Sequence, residues 1–284
     1  MEATNSVSLL DAISSFLVAQ DLTVYVTVIV IFAVLEFGLS RPDNRPPIPT
    51  GRYVVNFGLP MLGALLAMVL PFGSAGAALL ADARAWGLFN TFSAPGVLIL
   101  SIALMARTLL AYWLHRAMHA VPLLWRIHRI HHTDPMLDIS TGLRHHPLEL
   151  VIAAPLFLAL VIVLGLPLWA VLLVDFFMLA GSLFKHLDID LPPKAERLLG
   201  PVLATPAIHR FHHSARATET NSNFGNLVIV WDLLFRTYTD PKGRRPNRLG
   251  LGERYDDAAH NLWLQLQIGV VDSPAPEKRP TDDL

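Results

Sequence analysis

Cysteine is absent from all 284 residues. Disulfides, thiolate zinc sites and iron–sulfur or rubredoxin-type centres are therefore excluded within this chain, and any redox work it does must draw electrons from another protein. Charge is scarce too. Asp, Glu, Lys and Arg make up 16% of the residues and 53% are hydrophobic, where an average soluble domain has about 25% charged residues. This balance points to a membrane protein. The formal net charge is −1, so there is no uniform basic field for nucleic acid. The zinc-protease pattern HExxH is missing, because Arg116 follows His115. Also missing are the Glu and Glu-x-x-His pattern of soluble di-iron bundles, an HPGG-like haem motif, internal repeats and a separate second domain. Residues 1–21 carry Glu2, Asp11 and Asp21 but no basic residue, which speaks against a secretory signal peptide.

Histidine stands where thiolates do not. The stretch Tyr112–Pro147 holds His115 and His119 as HxxxH and His128, His131 and His132 as HxxHH, followed by His145 and His146. A second HxxHH, His209, His212 and His213, lies farther on. On a helix, positions three and four apart share a face, so each box is expected to aim its imidazoles at one point. Neutral imidazole is the commonest protein metal ligand. A lone histidine is most often a surface or core residue, but of 12 histidines only His145, His146, His186 and His260 fall outside the boxes. Eight box histidines exceed what one tetrahedral ion takes, and the economical reading is two metals.

The apolar pattern gives an all-α fold, an integral membrane helical bundle with a cytoplasmic histidine-rich helical cap. The whole of 1–284 reads as one membrane domain. Transmembrane helices fill 22–114 as spans Leu22–Leu39, Tyr53–Phe72 and Ala94–Trp113, each near the ~20 residues that cross ~30 Å of hydrocarbon. Glu36 and Arg107 are expected to reach the interfaces at span ends. Residues 115–149 form a first cap segment, 150–184 a transmembrane or re-entrant hairpin divided at Gly165-Leu166-Pro167, 185–271 a second cap segment and 272–284 a disordered tail. The hairpin returns the chain to its starting side, which lets His209–His213 meet His115–His132. Leu9, Leu10, Ile13, Phe16 and Leu17 suit a surface helix, the segment Ala77–Asn90 reads as interfacial, and Val228–Tyr238 is expected to rest on the membrane face or cover the site. The arginines of Arg41–Arg52, with Arg116, Arg126, Arg129 and Arg144, favour a cytoplasmic cap under the positive-inside rule, in a bacterial inner or ER-like membrane.

An all-imidazole site at a membrane surface resembles the fatty acid hydroxylase and sterol desaturase superfamily, from about Arg52 to Tyr238. RHHPLE, Arg144–Glu149, is similar to its Arg-x-His-Pro-x-Glu element, which implies His146 as a further ligand and His145 as a neighbour. FKHLDIDLP, Phe184–Pro192, resembles its segment after the hairpin and nominates His186, although Asp188 stands where Asn is usual. The block AIHRFHHS, ETNSNFG and WDLLFRTY matches the C-terminal region, with Arg236 in place of Gly. The resemblance implies metal ligands His115, His119, His128, His131, His132, His146, His186, His209, His212 and His213, two iron ions as a di-iron centre, and O2 as co-substrate. It implies hydroxylation of a membrane lipid such as a sterol, fatty acyl or sphingoid chain. Desaturation at the same site is the alternative, with a metal transporter or a zinc hydrolase behind it. A separate electron-transfer protein of ferredoxin, rubredoxin or cytochrome type would act as partner; Arg244, Arg245 and Arg248 offer one docking patch, but the preferred reading of that cluster is a positive-inside surface. Asp134, Asp138, Glu149, Glu219 and Asp232 are candidates to orient the imidazoles through their second nitrogens.

Overall fold

The computed structural model describes residues 21–40, 47–67, 73–252, 255 and 258–270. The expected surface helix near the N-terminus and the disordered tail from Asp272 lie outside the described residues. Among those described, helices are the only regular elements, joined by two isolated β-bridges.

The helices in chain order are α1 (Asp21–Leu39), α2 (Arg52–Ala67), α3 (Ser74–Ala83), α4 (Leu88–Thr91), α5 (Gly96–Ala120), α6 (Pro122–His132), α7 (Pro147–Leu164), α8 (Leu168–His186), α9 (Pro193–Leu199), α10 (Pro206–His212), α11 (Ala217–Thr220), α12 (Val230–Leu234) and α13 (Leu262–Val270). Three of them, α5, α7 and α8, are long and apolar enough to cross a membrane. The shorter apolar helices α1 and α2 flank them. The hairpin is thus two helices of spanning length, and Pro155 sits inside α7 without ending it. Gly165 closes α7 in the left-handed conformation at φ 60°, which costs glycine nothing.

Between these spans a core forms from Ala77, Ala78, Ala103, Val161, Val171, Val174 and Met178. The small side chains Ala77, Ala78 and Ala81 let one face of α3 pack against α7 and α8, while Asp82, Arg84 and Trp86 are exposed. Beyond it, Gly87 lies so close to Gly165 that a Cβ there would stand 2.1 Å from the Gly165 nitrogen.

Two charged residues depart from the expected snorkelling. Glu36 is buried, and its Oε2 accepts the Ile139 N–H at 2.8 Å. Arg107 turns inward at the middle of α5, with its guanidinium 3.2 Å from the centre of the Phe157 ring and Asp175 of α8 as its counter-charge. Arg107, Asp175 and Ser74 line a cavity of about 20 Å³, room for one water. A charge at mid-span that finds an anion inside the bundle has no need of the headgroup region.

The cap docks on α2 through charge. Arg52 is fully buried and donates to Asp134 at 2.9 Å through two nitrogens and to Asp138 at 2.6 Å. Arg144, also fully buried, donates to the Ile130 and Ala259 carbonyls, to Asn56 and to Thr133. Burial brings its guanidinium down to about 10, still charged at neutral pH. Below them, Val55 and Leu59 of α2 pack against Ile130, Leu262 and Leu266.

Replacing Arg52 by Met leaves Asp134 and Asp138 buried without their cation. Removing one partner of a buried pair costs about 3–5 kcal/mol, so the variant in detergent should melt well below the parent. An unchanged melting temperature would mean that the cap does not depend on this clamp.

Candidate metal centre

The backbone explains how three boxes become two centres. Successive helical residues point about 100° apart, so adjacent histidines such as His131 and His132 cannot meet at one point. Each HxxHH box is therefore split, which corrects the expectation that a box converges as a unit. His128 and His132, four apart on α6, join His115 and His119 at the end of α5 and His212 of α10. His209 and His213, four apart across α10 and its C-cap, join His131 of α6 and His186, the last residue of α8. In each group the ligand atoms lie within 4.8 Å of one another.

Ring orientation comes from the other nitrogen. The Nδ1 of His115 meets the Phe224 carbonyl at 2.8 Å, that of His131 the Arg144 carbonyl at 3.1 Å, that of His186 the Ser182 carbonyl at 2.6 Å and that of His212 the Ser222 carbonyl at 2.8 Å. A carbonyl only accepts, so these rings donate through Nδ1 and present Nε2 as a bare lone pair. His119 Nδ1 faces Asn221 Oδ1 at 3.3 Å, and His128 Nδ1 faces Glu149 Oε2 at 3.2 Å.

The Nε2 atoms then crowd together. His131 and His186 stand 3.2 Å apart, His186 and His209 3.0 Å, His209 and His213 3.1 Å, and His128 and His132 3.3 Å. Lone pairs at such distances repel unless a proton or cation lies between them. They have the spacing of neighbouring ligands on one ion when each bond is about 2.1 Å. In the first group the Nε2 atoms of His115, His119 and His212 are buried with no protein partner, and each is an orphan that a metal bond would satisfy. The residues fit two metal ions held by nitrogen.

Nine of the ten candidate ligands thus fall into the two groups. His146 does not. It caps α7, and its Nδ1 accepts the Leu148 N–H at 3.1 Å, the reverse of the polarity seen in the clustered rings. His145 is nearer the centre, stacked on His131 at 4.6 Å and sharing Glu149 Oε2 with His128. Of the five candidate carboxylates, Glu149 touches clustered rings. Asp134 and Asp138 go to Arg52. Glu219 accepts from Ser214 at 2.5 Å. Asp232 acts one step away, holding the Phe224 and Gly225 N–H groups at 2.8 and 2.7 Å and so fixing the carbonyl that orients His115. The orienting carbonyls of Arg144, Ser182, Ser222 and Phe224 carried no signal of their own, because every residue has one.

Two departures from the expected pattern also find their places. Asp188 faces Arg210 and Arg245 at 3.7 and 3.6 Å. Arg236 takes φ 59°, so the left-handed turn persists without glycine. Arg245 pairs with Asp190 at 2.8 Å and Arg244 lies over Phe211, tying the basic loop to α10. Trp125 and Phe224 wall the first group, with Phe224 5.1 Å from the His119 ring and Trp125 4.9 Å.

Residues 100–237 match the family described as Fatty acid hydroxylase. Among curated proteins, the chain is 30% identical over 141 residues to an ornithine lipid hydroxylase of Rhizobium tropici, covering 50% of this chain and 41% of that one. It is 29% identical over 130 residues to human alkylglycerol monooxygenase, covering 45% of this chain and 27% of the relative. It is 31% identical over 129 residues to methylsterol monooxygenase 1 of Danio rerio, covering 44% and 42%. The chain thus spans less than half the length of these relatives. No solved structure matches it. The matched region contains both histidine groups, and this histidine-bearing region belongs to the fatty acid hydroxylase family.

Burial, and next the neighbouring imidazoles, hold His131, His132 and His213 neutral well below the ordinary value of 6.5. His209 and His212 are depressed the same way, by burial first and then by nearby Lys185 or His115. Below about pH 6.5 the unfolded chain takes up protons that these folded rings refuse. Metal-free protein should therefore lose stability steadily from about pH 6.5 downward and change little above it, as thermal melts between pH 8 and 5 would read; a flat profile would mean the rings are open to water. Glu149→Gln should weaken metal binding by about 10–100-fold through loss of the orienting carboxylate. Metal titration followed by calorimetry checks this, and an unchanged affinity would remove Glu149 from the site.

Proposed function

We propose that this protein is an O2-dependent di-iron lipid hydroxylase. The observation that carries the reading is the division of nine imidazoles, seven buried and two half-buried, into two adjacent nitrogen-only groups at the ends of apolar spans. All-imidazole sites suit iron, copper, nickel or zinc, and the family likeness favours iron. His115, His119, His128, His132 and His212 would hold one ion and His131, His186, His209 and His213 the other. Bound iron supplies the activation of O2 by electrons from a separate carrier protein, so that one oxygen atom enters a C–H bond and the other leaves as water.

The chain's own part is placement. Backbone carbonyls, Asn221 and Glu149 keep the Nε2 atoms of His115, His119, His128, His131, His186 and His212 deprotonated and aimed, which lets these rings bind cations without first losing a proton. Phe224 and Trp125 keep bulk water from the first group and offer an apolar wall to a methylene chain. On this reading both groups lie at the membrane boundary, where a lipid enters from the bilayer without leaving it. The curated relatives act, by name, on ornithine lipid, alkylglycerol and methylsterol, and hydroxylation of an amphipathic lipid is the reading preferred here over desaturation. The exposed arginines Arg216, Arg236, Arg244, Arg245 and Arg248 favour a cytoplasmic cap. Arg52, Arg129 and Arg144 no longer count towards this, being buried.

The test uses the division into two groups. Wild-type protein, purified gently and reconstituted with ferrous iron, should hold two irons per chain. His212→Ala and His131→Ala should each lose one, and the double variant both. Lipid extracts incubated with 18O2 and a reductant should gain a single labelled oxygen with wild type alone. Turnover without O2, or full iron content in the double variant, would overturn the proposal.

A further inference from the structure

The segment that orients His115 runs along the seam between cap and spans: the Leu227 carbonyl accepts the Ala204 N–H, the Ile229 N–H donates to the Val202 carbonyl, and Ile229 packs on Ala204 and Ile208. After Phe224 the chain runs down beside the spans, where Leu227 packs into the core of α3, α5, α7 and α8 and against Gly181 of α8, at which a Cβ would stand 2.6 Å from Leu227 Cδ1. It then forms α12. Trp231 Nε1 donates to Thr108 Oγ1 at 3.1 Å, and Thr108 is the midpoint of the 25-residue helix α5. At 1.5 Å per residue this is about 10 Å below His115 along the helix. The segment climbs back beside the same helix. Phe235 stacks on Tyr112 at 5.4 Å, and Thr237 meets the Tyr112 hydroxyl at 2.9 Å.

At that depth the outer face is apolar and uncovered. Val230, Leu233 and Leu234 are 39%, 51% and 62% exposed; on α5, Met105 and Trp113 are exposed too, and the Trp113 ring lies 4.9 Å from that of Phe235. The single acid of the segment, Asp232, is fully buried and turned inward onto the Phe224 and Gly225 N–H groups and the Thr237 hydroxyl. Between residues 226 and 235 the one charge is inside and the leucines are outside, the reverse of a segment bathed in water. Thr108 lies about 8 Å inside the cap end of the span that closes at Trp113, and an element fastened there shares the solvent of the span, which is acyl chains.

We propose that residues 226–235 are immersed in the acyl layer beside α5 and α8, with surrounding lipid chains covering Val230, Leu233 and Leu234, and that the exposed Arg236 marks where the segment returns to the headgroups. The segment then forms a wall leading from the hydrocarbon to Phe224, along which a lipid substrate's chain reaches the first histidine group. This inference rests on the membrane reading given above and names the side from which the substrate arrives.

Because the chain has no cysteine, single cysteines report cleanly. Leu234→Cys, Met105→Cys and Lys242→Cys proteins in phosphatidylcholine nanodiscs would be treated with a charged, water-soluble maleimide. Separate samples would carry a bimane label, attached in detergent, and be reconstituted with brominated acyl chains. The expected result is full labelling of Lys242→Cys, loss of labelling at Leu234→Cys and Met105→Cys until SDS is added, and quenching of bimane at position 234 by the brominated chains. Rapid labelling of Leu234→Cys beside a protected Met105→Cys would overturn the proposal and leave the membrane reading intact. Rapid labelling of Met105→Cys would overturn the membrane reading and the proposal with it. A disulfide-linked dimer through position 234 without quenching would assign the face to a second copy of the chain and likewise overturn the proposal.

Discussion

Crowded imidazole lone pairs are the constraint on which the cap depends. Four pairs of Nε2 atoms stand 3.0–3.3 Å apart, and carbonyl or carboxylate partners hold several of the rings in the tautomer that leaves Nε2 bare. In the absence of a cation this arrangement stores repulsion inside a water-poor interior, where electrostatic terms are strongest. The histidine groups therefore make sense as half of an interaction whose other half is positive. Metal affinity and cap stability become one quantity seen from two sides.

The spans exist in the lengths they do because of where they end. α5 finishes with His115 and His119, α8 finishes with His186, and α7 begins beside His145 and Glu149. Three apolar helices thus terminate at one point, two by their C-termini and one by its N-terminus, which is what an up-down hairpin after a single crossing requires. Glu149 sits in the first turn of α7, where a carboxylate is favoured by the helix dipole, and from there it reaches His128 and His145. The same helix start serves fold and site together.

Much of this was legible in the residues. Apolar runs gave the spans, and box spacing gave the ligand-bearing faces. Two things were not. A spacing rule says which residues share a face, but the division of each HxxHH box between two centres depends on where the partner helices lie. Charge signs along the sequence likewise gave no direction for Arg52, Arg107 or Glu36, since snorkelling and inward pairing place the same residue at the same depth. His146 shows the limit of transferring a motif: its neighbour His145 is the one stacked on His131, and a single position along the chain reverses which ring faces the centre.

The buried arginines also decide the chemistry by withholding ligands. Asp134 follows the first HxxHH box by two residues, and Asp138 lies one turn farther on, so carboxylates were available to reach the metals. Arg52 takes both, at 2.6–2.9 Å, and the donor set stays neutral. Soluble di-iron bundles place carboxylates between helices, and those anions offset most of the charge of the two ions. Here the compensation close to the rings comes from Glu149, backbone carbonyls and one asparagine, so two divalent ions would keep most of their positive charge. A centre that cationic binds anions and electron-rich co-ligands strongly, and it remains compatible with an apolar wall only if that charge is screened from the lipid. Phe224 and Trp125 stand where that screening is needed, and the carboxylate-consuming clamp at Arg52 is what makes it necessary.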